Sequence, residues 1–147
     1  MRTIAAYFVA ALGLFPLLSA CAPAIPTLEE FNDTESKWVE LGPVIIESMA
    51  VDRDGAEVRA TGVFLHGEDN RITLSMELFL EPPARFVSGN HSSRIAGEAF
   101  AGPVSSESLE FFGGQNEGPS VGGVFVFENP ADGVSYRLRF PPTLRSR

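Results

Sequence analysis

Three kinds of residue in this 147-residue sequence could do chemistry: one cysteine, two histidines and a cluster of glycines. The cysteine, Cys21, directly follows a long apolar run. A thiolate is a good nucleophile and is readily alkylated, whereas a serine hydroxyl reacts poorly in the same position. Cys21 is therefore the strongest potential nucleophile of the sequence.

The residues before Cys21 have the pattern of a secretory signal peptide. Arg2 is followed by an uncharged run from Ile4 to Ala20, and small residues end this run. The alternatives are a buried helix and an uncleaved membrane anchor, since about 17 apolar residues are the minimum that spans a bilayer. Pro16 would kink the last turns of such an anchor, and this favours the signal peptide.

Leu18, Ser19, Ala20 and Cys21 resemble the lipobox of bacterial lipoproteins, in which a large aliphatic residue and two small residues precede an obligatory cysteine. The resemblance is confined to the first 21 residues. It implies transfer of a diacylglyceryl group to the Cys21 sulfur, cleavage before Cys21 and acylation of the new N-terminus. Because Ala22 rather than aspartate follows, the resemblance implies the outer membrane of a Gram-negative cell, facing the periplasm. Each buried methylene adds about 0.8 kcal/mol, so two or three chains hold a protein at the membrane nearly permanently.

A second cleavage pattern overlaps the lipobox. Residues 22–24, Ala-Pro-Ala, form a small-x-small site that ordinary signal peptidase could use, and the product would be soluble and begin at Ile25. The lipobox is the favoured interpretation. We therefore expect a signal peptide at residues 1–20, a lipidated N-terminus and spacer at 21–37, with one helical turn from Thr27 to Phe31, and a β-sandwich domain at 38–147.

The charge of the chain excludes several classes of partner. The formal net charge is −8, so the domain should be repelled by nucleic acid and by anionic lipid head groups. No cysteine follows Cys21, which excludes disulfides and thiolate-bound metals from the domain. We expect no cofactor and no nucleic acid; the expected partners are the membrane, through the lipid on Cys21, and an envelope protein.

From Trp38 onward apolar and polar residues alternate, which is the period of a half-buried β-strand. The clearest case is residues 71–81, where five alternating apolar side chains share one face. Two further runs, 43–51 and 56–66, precede it, and the turn sequences DRDG and GEDN separate the three. An antiparallel meander is predicted for this half.

The second half predicts shorter strands at residues 85–87, 93–100, 109–112, 121–128 and 134–140. Seven or eight short strands with closely spaced turns indicate a sandwich or a closed barrel, and their unequal lengths favour the sandwich. The last hairpin, from Ser120 to Pro142, resembles the closing hairpin of small immunoglobulin-like domains on bacterial lipoproteins. The expected fold class is all-β, an immunoglobulin-like antiparallel β-sandwich of seven to eight strands.

The two histidines lie in predicted turns or strand ends. His66 is close in sequence to Glu68 and Asp69, and these three side chains could ligate a cation. The favoured interpretation is a polar hairpin tip, which needs such residues for solubility and turn geometry. His91 has no partner at a catalytic spacing, and no G-x-S-x-G elbow surrounds the serines near residues 104–108. We predict no catalytic residue and no metal site.

Glycines cluster in FFGGQNEGPSVGG, residues 111–123. Glycine-rich loops can bind phosphate at the start of a helix, but here no lysine follows and Glu117 would repel an anion. A turned connection between two strands is the favoured interpretation. Exposed loops often carry binding residues. The predicted partner loop consists of Phe112, Gly113, Gly114, Gly118 and Gly122.

Two functions follow from these features. The first is a lipid-anchored envelope lipoprotein that acts as a non-enzymatic binding or assembly accessory, through an edge strand or the glycine-rich loop. The alternative is a domain that binds a small ligand or a metal ion at the hairpin tip of His66, Glu68 and Asp69. An enzyme ranks third, because no catalytic constellation is found.

Overall fold

The structure, a computed structural model, describes residues 25–81, 83–112 and 120–142. These residues form nine β-strands and no helix, so the all-β expectation is confirmed. The strands are β1 (Thr27–Asn32), β2 (Lys37–Pro43), β3 (Ile45–Asp54), β4 (Glu57–His66), β5 (Asn70–Phe79), β6 (Arg85–Ile95), β7 (Glu98–Phe112), β8 (Ser120–Glu128) and β9 (Ser135–Phe140). Within these ranges no helix has the length and apolar character needed to cross a membrane.

All nine strands belong to one antiparallel sheet in the order β2-β1-β9-β8-β7-β6-β5-β4-β3. From β3 to β9, each strand lies beside the next one in the chain, so most of the sheet is a simple meander. The meander predicted for the first half is confirmed by the pairing of β3 with β4 and of β4 with β5. The β1–β2 hairpin adds to the free side of β9.

The sheet is so strongly curled that its two edges meet at one corner. β2 and β3 stand at opposite ends of the strand order, but Val44 alone separates them in the chain. The Val44 N–H donates to the Pro26 carbonyl over 2.8 Å. Across the concave side, the rings of Phe64 in β4 and Phe140 in β9 have centroids 4.7 Å apart. The concave face therefore closes on itself and forms the core.

β7 joins the two halves of the curled sheet. Its first part, up to Pro103, pairs with β6, and its second part, from Val104, pairs with β8. The register with β8 shifts at Glu107, which is a β-bulge. Bulges bend a strand and increase its twist. A strand of 15 residues can in this way contribute to both halves.

Alternate side chains of the strands fill the concave face, because successive residues of a strand point to opposite sides. The alternation predicted for residues 71–81 is confirmed, since every second residue of β5 from Ile72 to Leu78 is buried. The largest fully buried side chains come from both halves of the sheet: Phe64, Phe125, Phe140, Leu28, Ile72, Leu74, Leu78, Leu138, Val58 and Val121.

The immunoglobulin-like sandwich is not confirmed. Immunoglobulin-like domains have Greek-key connections between two sheets, whereas from β3 to β9 each strand of this chain lies beside the next one in one curled sheet. The described residues also contain nine strands instead of seven or eight. The difference arises at three places: β1 lies in the expected spacer, β2 precedes the first expected strand, and the second half has four strands instead of five.

In the expected spacer, Thr27 to Phe31 form part of strand β1 and not a helical turn. β1 pairs with both β2 and β9, and its Leu28 is completely buried. The described sheet therefore begins at Thr27 and not at Trp38.

In the second half, the predicted short strands are longer and fewer. Residues 85–95 form the single strand β6, and residues 98–112 form the single strand β7. The two residues between them, Ala96 and Gly97, have φ angles of 52° and 81°. Two positive φ angles in a two-residue connection are typical of a tight type I′ hairpin. Residues 85–112 therefore form one long hairpin.

Candidate functional site

The tips of the β4–β5 and β6–β7 hairpins lie side by side around an open depression of about 410 Å³. Asn70 connects the two tips. Its side-chain nitrogen lies 3.1 Å from Nδ1 of His66, and its Oδ1 accepts a hydrogen bond of 2.9 Å from the Ala96 N–H. The three predicted residues of this tip, His66, Glu68 and Asp69, all line the depression.

The depression carries charges of both signs, since Arg94 lines it together with Glu68 and Asp69. Arg94 stands directly opposite Arg71 on the neighbouring strand, which is an unfavourable like-charged pair. Glu47 forms an ion pair of 2.9 Å with Arg71 and offsets this repulsion. Within the described ranges, no group of three or more His, Cys, Asp or Glu side chains is arranged to hold a metal ion. The depression therefore presents polar groups of both signs to solvent.

His91 lies in the middle of β6, and the predicted position in a turn or at a strand end is wrong. Its imidazole is buried in the core, with Nδ1 2.8 Å from the Ser93 hydroxyl oxygen. The rings of Phe100 and Phe127 flank it at centroid distances of 5.5 and 4.5 Å. Burial lowers the pKa of His91, because the interior disfavours the charged imidazolium. His91 is therefore a neutral core residue and does not face a substrate site.

Acid should destabilise the fold through His91. Its pKa lies below the ordinary value of 6.5 in the folded chain, so the unfolded chain binds the proton first as the pH falls below 6.5. The free energy of unfolding should then decrease by at most about 1.4 kcal/mol per pH unit. His91→Gln does not titrate and should remove this slope from urea unfolding curves at about pH 7 to about pH 5.5. His66→Gln is the control and should keep the slope; equal slopes in the two variants would contradict the assignment.

Arg137 of β9 lies at the centre of a cluster on the convex face that the sequence analysis missed. Its Nε and Nη2 donate to the two carboxylate oxygens of Glu29 over 2.5 and 3.0 Å, and its Nη1 lies 3.4 Å from a carboxylate oxygen of Glu107. The Trp38 ring stacks on the guanidinium, with its centroid 4.5 Å from Cζ. Phe31 in turn packs edge-on against Trp38. These five residues are called the Arg137 cluster below.

The Arg137 cluster joins β1, β2, β7 and β9 by charge and by stacking. The side chains of Arg137 and Glu29 are only 16% and 15% exposed, so water screens their attraction weakly. The hydrogen bond from Arg137 lowers the pKa of Glu29, although burial alone would raise it. The same bond raises the pKa of Arg137. Since all three guanidinium nitrogens face protein carboxylates, we assign the cluster a structural role, which is to hold these four strands together.

Removal of the Arg137 charge should cost about 2 kcal/mol at neutral pH, because a hydrogen-bonded charged group loses its partner. Glu29 has a lowered pKa, so this stability is present above the ordinary value of 4.5 and is lost as the pH falls through the folded pKa. Arg137→Gln should therefore be destabilised at pH 7, and its difference from the parent chain should be smaller at about pH 3. Urea unfolding at both pH values measures the difference.

The control for this experiment is Arg59→Gln. Arg59 forms a 3.8 Å ion pair with Glu77 on an exposed surface, and such pairs contribute at most about 1 kcal/mol. A loss in Arg137→Gln that persists unchanged at low pH would show that packing on Trp38, and not the charge pair, is responsible.

The two edges of the sheet are protected unequally. Within the described residues, β2 pairs only with β1, and β3 pairs only with β4. β2 is short, begins at Lys37 and ends at Pro43. β3 has a bulge at Glu47 and the charged sequence Asp52–Asp54 at its end. Bulges, charges and prolines discourage the addition of another strand. Residues 48–51 of β3, Ser-Met-Ala-Val, carry none of these features.

The residues of the predicted partner loop lie in different parts of the structure. Phe112 is 60% exposed at the end of β7, while Phe111 packs against the core. Gly122 does not lie in a loop; it is buried in strand β8, and its assignment to the partner loop is wrong. The remaining predicted residues lie outside the described ranges: Gly113, Gly114, Gly118, and the lipobox residues Leu18, Ser19, Ala20 and Cys21.

Comparison of the chain with protein families, with curated protein sequences and with solved structures yields no match.

Proposed function

We propose that the protein is a non-enzymatic accessory of the bacterial cell envelope, anchored by lipid on Cys21 at the outer membrane and facing the periplasm. The observation that carries the proposal is the sequence Leu18-Ser19-Ala20-Cys21 at the end of an uncharged apolar run. A small all-β domain follows it almost immediately, since β1 begins at Thr27. In this proposal the domain binds another envelope protein and performs no chemistry.

The binding surface in this proposal is the edge of β3. A partner strand that adds to a sheet edge gains main-chain hydrogen bonds, and the edge needs an accessible and uncharged run of backbone. Residues 48–51 supply such a run between the bulge at Glu47 and the charges that begin at Asp52. The β2 edge is less suitable, because a proline ends it and Trp38 is held against Arg137.

The anchor is tested by two substitutions that separate the lipobox from the overlapping cleavage site. Cys21→Ala should remove the lipid mass from the mature protein and release the domain into the soluble fraction. Ala24→Leu blocks the small-x-small site and should leave both lipid mass and membrane fractionation unchanged. The proposal fails if the native protein begins at Ile25 without lipid, or if Cys21→Ala leaves mass and fractionation unaltered.

The binding edge is tested with a photo-crosslinking residue at one of two exposed positions in intact cells. Ala50 lies on the β3 edge, and Ser75 lies in the same row of the sheet two strands further in. The two positions are two inter-strand spacings apart, which is about 10 Å. A crosslinked product of one defined mass is expected from position 50 and not from position 75. Equal yields from both positions, or none from either, would contradict an edge-strand interaction.

A further inference from the structure

A patch of exposed apolar side chains surrounds the corner where the two edges of the sheet meet. Ile25 is 66% exposed, Leu41 is 39% exposed and Ile45 is 69% exposed. The hydrogen bond from the Val44 N–H to the Pro26 carbonyl holds the two chain segments of this patch together. These three exposed side chains and the backbone that joins them are called the apolar corner below.

The side chains of the apolar corner are uncharged in a chain whose net charge is −8, and the nearest charged tip, with Glu68 and Asp69, follows Leu65, the partner of Ile45. Residues 25–28, IPTL, and residues 41–46, LGPVII, contain no ionisable side chain, and these are the two segments that meet at the corner. The acidic residues at the limits of the second segment are Glu40 and Glu47, and Glu47 is neutralised by its ion pair with Arg71. An uncharged apolar surface of this kind matches the interface of a neutral lipid bilayer.

The length of chain between the corner and Cys21 determines what can reach the corner. The sheet begins at Thr27, so the segment that could act as a spacer ends there and not at residue 37. Only four peptide units separate Cys21 from Ile25, and they span at most about 14 Å when fully extended. If lipid on Cys21 is in the bilayer, the apolar corner is therefore the part of the described domain closest to the membrane surface.

We infer that the apolar corner is a membrane-contacting surface that rests in the head-group region of a neutral bilayer and fixes the orientation of the domain. The inference rests on the proposed lipid anchor at Cys21. Apolar side chains at such an interface are buried about 5–10 Å into the boundary between head groups and acyl chains. In this orientation β3 begins at the membrane, and the run at residues 48–51 lies only a few residues from the bilayer surface.

The test uses the full chain after natural processing, reconstituted in phosphatidylcholine vesicles that contain nitroxide-labelled lipid. Ile45→Cys and Val87→Cys each add one thiol for an environment-sensitive fluorophore. Val87 is a matched control, because it is 55% exposed but lies beside Glu57 and Phe79. Those residues are at the opposite end of β4 from Leu65, the partner of Ile45, about 27 Å away along the strand.

The expected result is a loss of fluorescence of about twofold or more at position 45 and little change at position 87, because only the corner enters the interface. Equal quenching at the two positions, or stronger quenching at position 87, would overturn the inference. A spectral shift at position 45 that grows with protein density and occurs without quenching would also overturn it, since a second copy would then cover the corner.

The labelling stoichiometry separates this inference from the proposed function. A lipidated Cys21 has no free thiol, so the parent chain should take up no fluorophore and each variant should take up one. Labelling of the parent chain would show that the proposed anchor is wrong. Correct stoichiometry and the mass of a lipidated Cys21 in the parent chain, together with equal quenching at the two positions, would leave the anchor in place and remove only the membrane-contacting corner.

Discussion

Replacement of Phe64 by alanine is expected to lower the free energy of unfolding by about 3–5 kcal/mol, the largest loss from any single substitution considered for this domain. Phe64 is completely buried, and its ring lies 4.7 Å from the ring of Phe140 on the other half of the sheet. The ring also covers Gly62, where an added Cβ would lie 2.6 Å from it. Loss of this ring leaves a cavity between the two halves of the curled sheet. The cavity cannot be filled by relaxation of its walls unless the curvature of the sheet changes.

Two further variants keep this prediction testable if Phe64→Ala does not fold. Phe64→Leu retains most of the volume and should lose about 1.5 kcal/mol or less. Phe112→Ala removes the same ring from a side chain that is 60% exposed, and it should change stability by less than about 0.5 kcal/mol. Urea unfolding measures all three. A loss in Phe64→Ala no larger than that in Phe112→Ala would show that β4 and β9 are not packed together across the core.

The parts of the fold that the sequence predicted well are strands with one buried and one exposed face. Residues 71–81 alternate cleanly because β5 has neighbours on both sides and a core face occupied by apolar residues only. The same holds for the last strand, β9, whose Tyr136, Leu138 and Phe140 point into the core. In such strands the local pattern and the tertiary environment agree.

In β1, which was not predicted, and in β7, which was predicted as two short strands, the local pattern and the tertiary environment do not agree. β1 has one fully buried residue, Leu28, and its remaining residues are partly buried on both faces, so no alternation is visible. β7 contains Gly102 and Pro103, which usually mark the end of a strand. In the structure Pro103 is the last residue of β7 that pairs with β6, and the strand continues with β8 as its new partner. Only the arrangement of the whole sheet explains why the strand does not end there.

The candidate site residues divide in the same way. His66, Glu68 and Asp69 are close in sequence, so their proximity at one hairpin tip could be predicted. Glu29 and Arg137 are 108 positions apart, and only the register between β1 and β9 brings them together.

His91 was misplaced for a related reason. The buried face of β6 carries His91 and Ser93, two polar residues that are joined by a hydrogen bond, so the usual apolar pattern is absent. Two polar residues two positions apart in a strand, which can form a hydrogen bond with each other, are the one sequence feature that could have indicated the burial of His91.

Gly122→Ala is expected to be the second most damaging substitution, with a loss of about 3 kcal/mol, the upper end of the range for overpacked sites. A Cβ at Gly122 would lie 2.5 Å from the Pro141 carbonyl carbon and 2.7 Å from the Phe140 carbonyl oxygen, and it would also overlap the Pro142 nitrogen. All three are backbone atoms, so no side-chain rotation can relieve the overlap.

Gly102→Ala is the matched control for Gly122→Ala. An added Cβ at Gly102 would meet only Nε2 of His91, at 3.6 Å, which is an ordinary contact. This variant should be neutral or more stable by about 0.4–1 kcal/mol, because alanine restricts the unfolded chain more than glycine does. Thermal or urea unfolding of the two variants measures the difference. If both tolerate alanine equally, the segment after β9 does not cross Gly122, and this glycine would again be available as part of a partner-binding loop, as the sequence first suggested.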